Sequence, residues 1–444
     1  MEITLSKKNK TEGLLTIRMS RADYLPRFEE KLKEYARHAH IKGFRQGKVP
    51  TGLIKKMYGR SIFADEINHL LNQHISEYIK NQKLNVVGDL MPASPGPASW
   101  DADTTEEVEM QFHVGLADEF TCELSEKIKF NRYTIEVADQ VVQDTVQDLR
   151  KRFSKSAYPE CSEPGDDVYG TLQSDDGALQ CSAYLRYEWL TPEGQQLITG
   201  RKKGDELELT LPDIISSPEY IGRMFSVKTE EEDKLKGKFR LKVMGITRML
   251  PAEMNQEFFD RVFGKDVATT EEAFLNKVRE TIAANYNRET EAFLHHEIED
   301  HLIKNTKINL PEDFLRNWLK TVNPDKFTDE VLEKEFPAFL RTLKWNLIKK
   351  KIAEDHQINV TEEEVANRAA NLLVQEFGAS EALLSQLDKL VHNYLTHENG
   401  RNFNRLYDQL QLEKIMNAIK EKIKLNEKSI TLEEFRKMVE KHNH

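Results

Sequence analysis

The spacing of the apolar residues changes along these 444 residues, so the chain cannot be built around one repeating element. Leu15, Ile17 and Met19 alternate, which predicts a strand paired across a turn at residues 9–13, and residues 108–114 (VEMQFHV) read as another strand. Helical spacing occupies about 22–39, with Leu25, Phe28, Leu32 and Tyr35 on one face and Asp23 placed to cap the start. It returns over about 51–80 with Leu53, Met57, Ile67, Leu71, Ile75 and Ile79. The turn formers of MPASPGPAS, residues 91–99, interrupt the pattern. Val142, Val146, Leu149 and Phe153 predict one more amphipathic helix over 139–153. After Pro164 and Gly165 the period becomes two: Leu207, Leu209 and Leu211 alternate, as do Phe239, Leu241 and Val243. Turn signals stand at Asp175-Asp176-Gly177 and Pro192-Glu193-Gly194. From Glu271 onward nearly everything is helical, with runs at about 271–304, 328–355, 361–377, 381–396 and 401–424. Pro311, Pro324 and Pro337 mark boundaries or kinks.

The length favours about three domains, and the pattern divides accordingly. The expected fold class is multidomain α+β. An α+β N-terminal domain takes 1–118, a linker and connector helix 119–153, an inserted β-rich domain 154–248, and an elongated, all-helical C-terminal domain with arms 249–444. The first two long helical runs far exceed the usual length of about 11 to 12 residues, as projecting arms would.

Charge is segregated. Residues 1–60 hold fifteen Lys and Arg against six Asp and Glu, although the whole chain carries a net charge of -11. Seven cations and no acid lie between Tyr35 and Ala64. Such a basic end fits an anionic partner, and the acidic remainder keeps the body dispersed by self-repulsion. Cys122, Cys161 and Cys181 are far apart and read as reduced, structural thiols. The start of the chain has no cationic-then-apolar leader pattern, and no apolar run reaches the 18 to 20 or so residues of a membrane span. A soluble, cytoplasmic protein with no membrane partner is expected.

Between the first two helices lies Gly43-Phe44-Arg45-Gln46-Gly47-Lys48-Val49-Pro50, the expected tip of a helical hairpin. Gly43 and Gly47 permit positive φ, so the backbone can fold tightly and thrust the intervening side chains outward. Phe44 flanked by Arg45 and Lys48 suits a surface of protein and phosphate, because Arg grips phosphate or carboxylate while Phe fills an apolar pocket. The alternative is an ordinary glycine turn whose Phe folds back onto its own helices.

GFRQGKVP resembles the ribosome-binding signature of the trigger factor family, Gly-Phe-Arg-x-Gly-Lys-x-Pro at the tip of an N-terminal helical hairpin. Residues 235–264, LKGKFRLKVMGITRMLPAEMNQEFFDRVFG, are similar to the family's segment leaving its middle domain. The resemblance implies an N-terminal docking domain, an inserted FKBP-like prolyl isomerase domain and a helical C-terminal domain whose arms hold substrate. It also implies that Gly43, Phe44, Arg45, Gln46, Gly47 and Lys48 form the ribosome-binding site. The implied partners are the large ribosomal subunit, protein and rRNA, beside the polypeptide exit tunnel, and nascent or unfolded polypeptides. A homodimer off the ribosome is left open. Gln46 stands where many members have Lys.

The middle domain departs from the family. Isomerase-active members carry a stretch like Ile-Pro-Gly-Phe-Glu that helps line an aromatic pocket, whereas TPEGQQLITGRKK stands here, without the Phe. FKBP-type catalysis desolvates and twists the X-Pro amide, so a missing pocket wall matters. A scaffold that holds substrate without isomerising it is expected, with no catalytic residues assigned. Tyr184, Tyr187, Trp189, Tyr220 and Phe225 are candidates for rebuilding a pocket, which keeps an active isomerase with chaperone arms as the alternative. His296 and His301 are five apart, too far round a helix for one metal, and the terminal Lys441-His442-Asn443-His444 reads as a frayed end. No metal or other cofactor is expected, and no Walker-type loop is present, so the reading is an ATP-independent holding chaperone. An RNA-binding protein using the basic end is disfavoured by the acidic remainder. The aromatic groups Phe258-Phe259, Phe314-Leu315-Trp318 and Phe336-Phe339-Leu343-Trp345 are either core or client-holding surface.

Overall fold

The structure is a computed structural model and describes residues 1–45, 47–93, 102, 104–217, 220–221, 224, 237–378 and 380–442. It divides into two compact units, Met1–Arg132 with Phe293–Asn426, and Tyr133–Ala292 with Glu427–His444.

In the first unit β1 (Glu2–Lys7) and β2 (Glu12–Ser20) form the expected hairpin, followed by α1 (Arg21–His38), α2 (Thr51–Asn81), β3 (Val86–Pro92) and β4 (Glu107–Leu116). The antiparallel sheet runs β1-β2-β4-β3. Alternation in β2 puts Leu15, Ile17 and Met19 in the core with Tyr24, Phe28 and Leu32 of α1 and Ile54, Ile62, Phe63 and Ile67 of α2. Phe63 takes Tyr24 and Phe28 edge-on, with centroids 4.9 and 5.4 Å away. Ser20, not Asp23, is the N-cap of α1: Asp23 sits three residues in, where its Oδ2 accepts from the Ser20 N–H at 2.8 Å and completes a capping box. β3 lacks a clean alternation, because Gly88 (φ +73°) interrupts it, which leaves no period-two signal to read there. Most of MPASPGPAS lies outside the described residues.

The rest of this unit is mainly helical. Leu294, Ile298 and Leu302 at the end of Glu271–Asn305 pack with Phe314 and Leu315 of Glu312–Val322 and with Phe336, Trp345 and Ile348 of Asp329–Asp355. Phe314 lies so close to the β4 backbone that a Cβ on Gly115 would stand 2.5 Å from its Cδ1. The Trp318 Nε1–H donates to Asp89 Oδ2 at 3.3 Å. Pro337 neither ends nor starts a helix. It lies inside Asp329–Asp355, where burial of Leu332 and Phe336 on one side and Trp345 on the other outweighs the lost N–H. Glu362–Phe377 opens on a Thr361/Glu364 capping box and packs Val365, Ala369 and Leu373 against Val391 and Leu406 of Leu387–Lys422. That last helix is broken at His397–Gly400, with φ positive from Glu398 to Gly400, which is the expected gap between runs 381–396 and 401–424. An overlooked strand, Lys424–Ile430, pairs with β5 (Lys129–Ile135).

In the second unit α3 (Asp139–Arg152) buries Val142 and Val146 against Ala252, Phe258, Phe259, Phe274 and Val278. The strands are β6 (Lys155–Ala157), β7 (Asp167–Ser174), β8 (Gln180–Leu185), β9 (Glu206–Thr210) and β10 (Lys238–Leu250). Long β10 is central, with β7 and then β8 on one side and β9 and β6 on the other. Its buried face carries Phe239, Leu241 and Val243, joined by Val168, Leu172, Ala183 and Leu185. Pro192-Glu193-Gly194 is not a turn between strands but the start of α4 (Pro192–Ile198). Thr191 caps it through its Oγ1, which accepts from the Gly194 N–H at 3.1 Å, and proline is at home in the first turn because its missing N–H has no partner there anyway. Gly194 is required by packing: a Cβ there would lie 2.4 Å from the Ile214 carbonyl oxygen.

Asp166 is the buried acid of this domain among the described residues. Arg248 grips it with Nε and one terminal nitrogen, each at 2.8 Å, and the Glu163 N–H donates at 2.7 Å. Burial alone would raise the carboxyl, but these hydrogen bonds and the Arg248 charge together outweigh it and hold the group below the usual range. A depressed folded value means the contribution is complete above the unfolded value of about 3.9 and is lost as pH falls through the folded one. Asp166→Ala is therefore expected to destabilise this domain by about 2 kcal/mol at pH 7. In chemical denaturation the gap between the two proteins should narrow as pH falls below the unfolded value of about 3.9. A gap that is equal at pH 7 and pH 3 would show that the ion pair contributes nothing.

Candidate functional site

The end of the α1–α2 hairpin is shaped by its two glycines, Gly43 at φ +96° and Gly47 at φ +76°. Two tight turns result, one closed by the Phe44 N–H on the Ile41 carbonyl at 3.0 Å, the other by the Lys48 N–H on the Arg45 carbonyl at 2.9 Å. Val49 is buried and anchors the loop to the hairpin core, while Pro50 starts α2. Phe44 does not fold back: it is 44% exposed, and Arg45 and Lys48 beside it are exposed as well. None of Arg37, Lys42, Arg45 and Lys48 makes an ion pair among the described residues. The first turn of α2 carries no acid, so the positive end of the helix dipole adds to the field. Of the six predicted site residues, Gln46 lies outside the described residues, and the other five form this tip.

Sequence reasoning missed further exposed groups on the same hairpin. Tyr35 and Met57 share helical spacing with core residues, yet they are 47% and 51% exposed, and Tyr58 is 46% exposed. The available signal was their setting, since Arg37 follows Tyr35 and Lys55, Lys56 and Arg60 bracket the other two.

In the helical region the proposed aromatic groups are mostly core. Phe258, Phe259, Phe314, Leu315, Phe336 and Trp345 are all buried. A group of exposed apolar residues lies where Glu362–Phe377 ends and the next helices begin, Phe377 at 64% and Leu384 at 52% exposed with Leu372 and Leu390 partly uncovered nearby in sequence; Val267, Val322 and Leu412 are exposed elsewhere. His301 packs edge-on against Phe130, centroids 5.5 Å apart.

The β-rich domain buries Phe239 in its core and carries Tyr169, Tyr184 and Trp189 on the outside. On the inner face Gly170 sits where a Cβ would strike the Lys242 carbonyl at 2.5 Å and Leu241 Cδ1 at 2.7 Å, so aliphatic packing fills that space. Tyr184 and Trp189 face solvent, as does Tyr169 opposite Tyr184. Tyr220 meets Trp189 edge-on at 4.7 Å and donates its hydroxyl to the Tyr184 carbonyl, while the Arg186 guanidinium lies over the Trp189 ring, also at 4.7 Å. The Tyr184 hydroxyl donates to Asp167 Oδ2 at 3.0 Å. Burial, then this bond to a carboxylate, raises the Tyr184 hydroxyl above its ordinary value. Phe225 lies outside the described residues.

Comparison with known proteins gives three family models in sequence order: "Bacterial trigger factor protein (TF)" over residues 1–149, "Probable trigger factor, FKBP-like domain" over 156–251, and "Probable trigger factor, C-terminal domain" over 290–439. The chain belongs to the trigger factor family. Trigger factors of Chlorobaculum parvum and of Pseudomonas syringae pv. syringae are 25% and 22% identical to it, over 98% of this chain and 99% of the relative, and over 99% of each, respectively. The trigger factor of Salinibacter ruber is 22% identical over 87% of each chain. A solved structure described as "Promiscuous Substrate Recognition in Folding and Assembly Activities of the Trigger Factor Chaperone" aligns with 94% of this chain and 99% of its own, at 16% identity and a TM-score of 0.45. Trigger factors are ribosome-associated chaperones, and the N-terminal domain is their ribosome-binding module. No described helix is long and apolar enough to cross a membrane.

Proposed function

We propose that this chain is an ATP-independent chaperone of the cytoplasm that docks beside the exit tunnel of the large ribosomal subunit and holds nascent chains there. The observation that carries the reading is an exposed Phe44 beside Arg45 and Lys48, which make no ion pair among the described residues, in a tract with no acid. Phe44 enters an apolar pocket on ribosomal protein, while Arg45 and Lys48, with Gln46, reach carboxylates or rRNA phosphates; Gly43 and Gly47 hold the turn that presents them. Residues 1–118 then form the docking domain, 119–153 the connector, 154–248 the inserted domain and 249–444 the client-holding body. Co-sedimentation with ribosomes tests the docking half of the reading.

Holding is assigned to the exposed apolar end around Phe377 and Leu384. Scattered apolar groups among polar ones bind many unfolded segments weakly and release them as the client folds. Phe377→Ser with Leu384→Ser is expected to raise the concentration needed to suppress aggregation of a denatured client about three-fold, without loss of helical circular dichroism. Unchanged suppression would move client holding elsewhere.

The inserted domain serves as scaffold. Its inner face is filled by Phe239 and aliphatic side chains, and the Trp189 ring face is covered by Arg186, so a proline ring finds no enclosed aromatic slot among the described residues. Uncatalysed X-Pro isomerisation takes tens of seconds or more, which makes weak catalysis visible in a protease-coupled assay on a proline tetrapeptide. Equimolar chain is expected to accelerate it less than about two-fold. A large acceleration that disappears in Trp189→Ala would instead make this domain a working isomerase.

A further inference from the structure

Strands β3 and β4 serve two cores at once. Val108 of β4 and the partly buried Leu90 of β3 belong to the core beneath the α1–α2 hairpin. Val87 of β3 and Ala117, just past β4, instead join the helical core with Phe314, Leu315 and Leu319. The seam between the sheet and the helices is built on two glycines. A Cβ on Gly115 would stand 2.5 Å from Phe314 Cδ1, and one on Gly88 would stand 3.2 Å from Trp318 Cδ2, so both rings lie against bare backbone. Two hydrogen bonds span the same seam: the Trp318 Nε1–H donates to Asp89 Oδ2 at 3.3 Å, and the Asn309 Nδ2–H donates to Asp118 Oδ2 at 2.7 Å. The partners in these bonds are 229 and 191 positions apart in the sequence.

Such a seam does what chain connection cannot. The residues leaving β4 tether the sheet to the helices, but a tether sets reach and leaves orientation free. Two rings packed on bare backbone and tied by hydrogen bonds set orientation, because close-packed surfaces admit few alternative arrangements. We propose that Phe314 and Trp318, seated on Gly115 and Gly88, are positioning residues that hold the docking hairpin and the helical body at one angle. Docking then delivers the exposed end at Phe377 and Leu384 to the emerging chain. The inference rests on the docking and holding readings and supplies what joins them. Trp318 is the residue to change, because it is half-buried and carries the bond to Asp89, whereas Phe314 and Leu315 are buried in the helical core.

The test uses the full chain with Trp318→Ala, which removes the ring, and Trp318→Phe, which keeps one. Hydrogen exchange in β3 and in Glu312–Val322 should rise about ten-fold or more in Trp318→Ala and stay near the parent in Trp318→Phe, with exchange at Leu15, Ile17 and Met19 unchanged in both. Three functional measures accompany it: affinity for purified ribosomes, suppression of aggregation of guanidine-denatured citrate synthase, and cross-linking from a photoreactive residue in a ribosome-stalled citrate synthase chain at saturating chaperone. Trp318→Ala should lower the cross-linking yield about three-fold or more and leave the other two within about two-fold of the parent, because only the yield depends on where the docked body points. Trp318→Phe should restore the yield. A misfolded chain would lose all three together. Unchanged exchange at the seam, an unchanged yield in Trp318→Ala, or an equal loss of all three measures would each overturn the inference. Phe44→Ala with Arg45→Ala keeps the readings apart: it should release the chain from ribosomes with exchange at the seam unchanged. Ribosome binding retained in that variant would count against the docking reading alone.

Discussion

Raising salt from 0.1 to 0.5 M is expected to weaken binding of this chain to ribosomes by about two orders of magnitude. Each cation that neutralises an rRNA phosphate releases counterions, and log K falls by about 0.7 to 0.9 per contact for each ten-fold rise in salt. Lys42, Arg45 and Lys48 at the tip, with Lys56 or Arg60 behind it, supply about four contacts, and the hairpin holds no acid between Tyr35 and Ala64 to offset them. The body of the chain is strongly acidic, so its repulsion from the ribosome is screened by the same salt and opposes the trend. A steep net decrease therefore requires that the basic end make the contact. Fluorescence anisotropy of a labelled chain titrated with ribosomes at several salt concentrations gives the slope. A slope near zero would mean that binding is apolar and that the charge segregation has another purpose.

Much of this architecture was legible because the relevant signals are local. The β2 alternation of Leu15, Ile17 and Met19 and the four-three-four spacing in 139–153 each report one buried face, and both faces are buried as expected. The break between 396 and 401 was legible because Asn399-Gly400 is a helix-ending signal, and the chain turns there through positive φ. The turn geometry of the octapeptide followed from Gly43 and Gly47 for the same reason.

What was not legible depends on neighbours distant in sequence. Helical spacing groups Met57 with Leu53 and Ile67, but the seam that α2 presents to α1 and β2 runs through Ile54, Ile62, Phe63 and Ile67, and Met57 falls outside it. Pro337 was legible only as a boundary or a kink within the run 328–355, because a missing N–H is a local cost, whereas the burial that carries the helix through it comes from residues elsewhere in the helical core. Periodicity gives equal weight to Phe336, which is buried, and to Phe377, which is not, because each sits at helical spacing near other apolar residues. The inner face of the inserted domain shows the same limit: TPEGQQLITGRKK reveals a missing Phe but not that Leu241 already occupies the space above Gly170.

The central claim is that the octapeptide engages the ribosome, and changing Phe44 and Arg45 to Ala addresses it most directly. Both side chains are exposed, so the change leaves the hairpin core untouched and should not alter stability. If the two are central anchors, at about 2 kcal/mol or more each, their joint removal weakens binding by about one hundred-fold or more, allowing for partial overlap. Co-sedimentation of full-length chain with purified ribosomes, at a concentration where the parent is mostly bound, would then leave the Phe44→Ala, Arg45→Ala chain in the supernatant, with its circular dichroism unchanged. Equal recovery of the two chains in the ribosome pellet would contradict the assignment of this loop as the docking site.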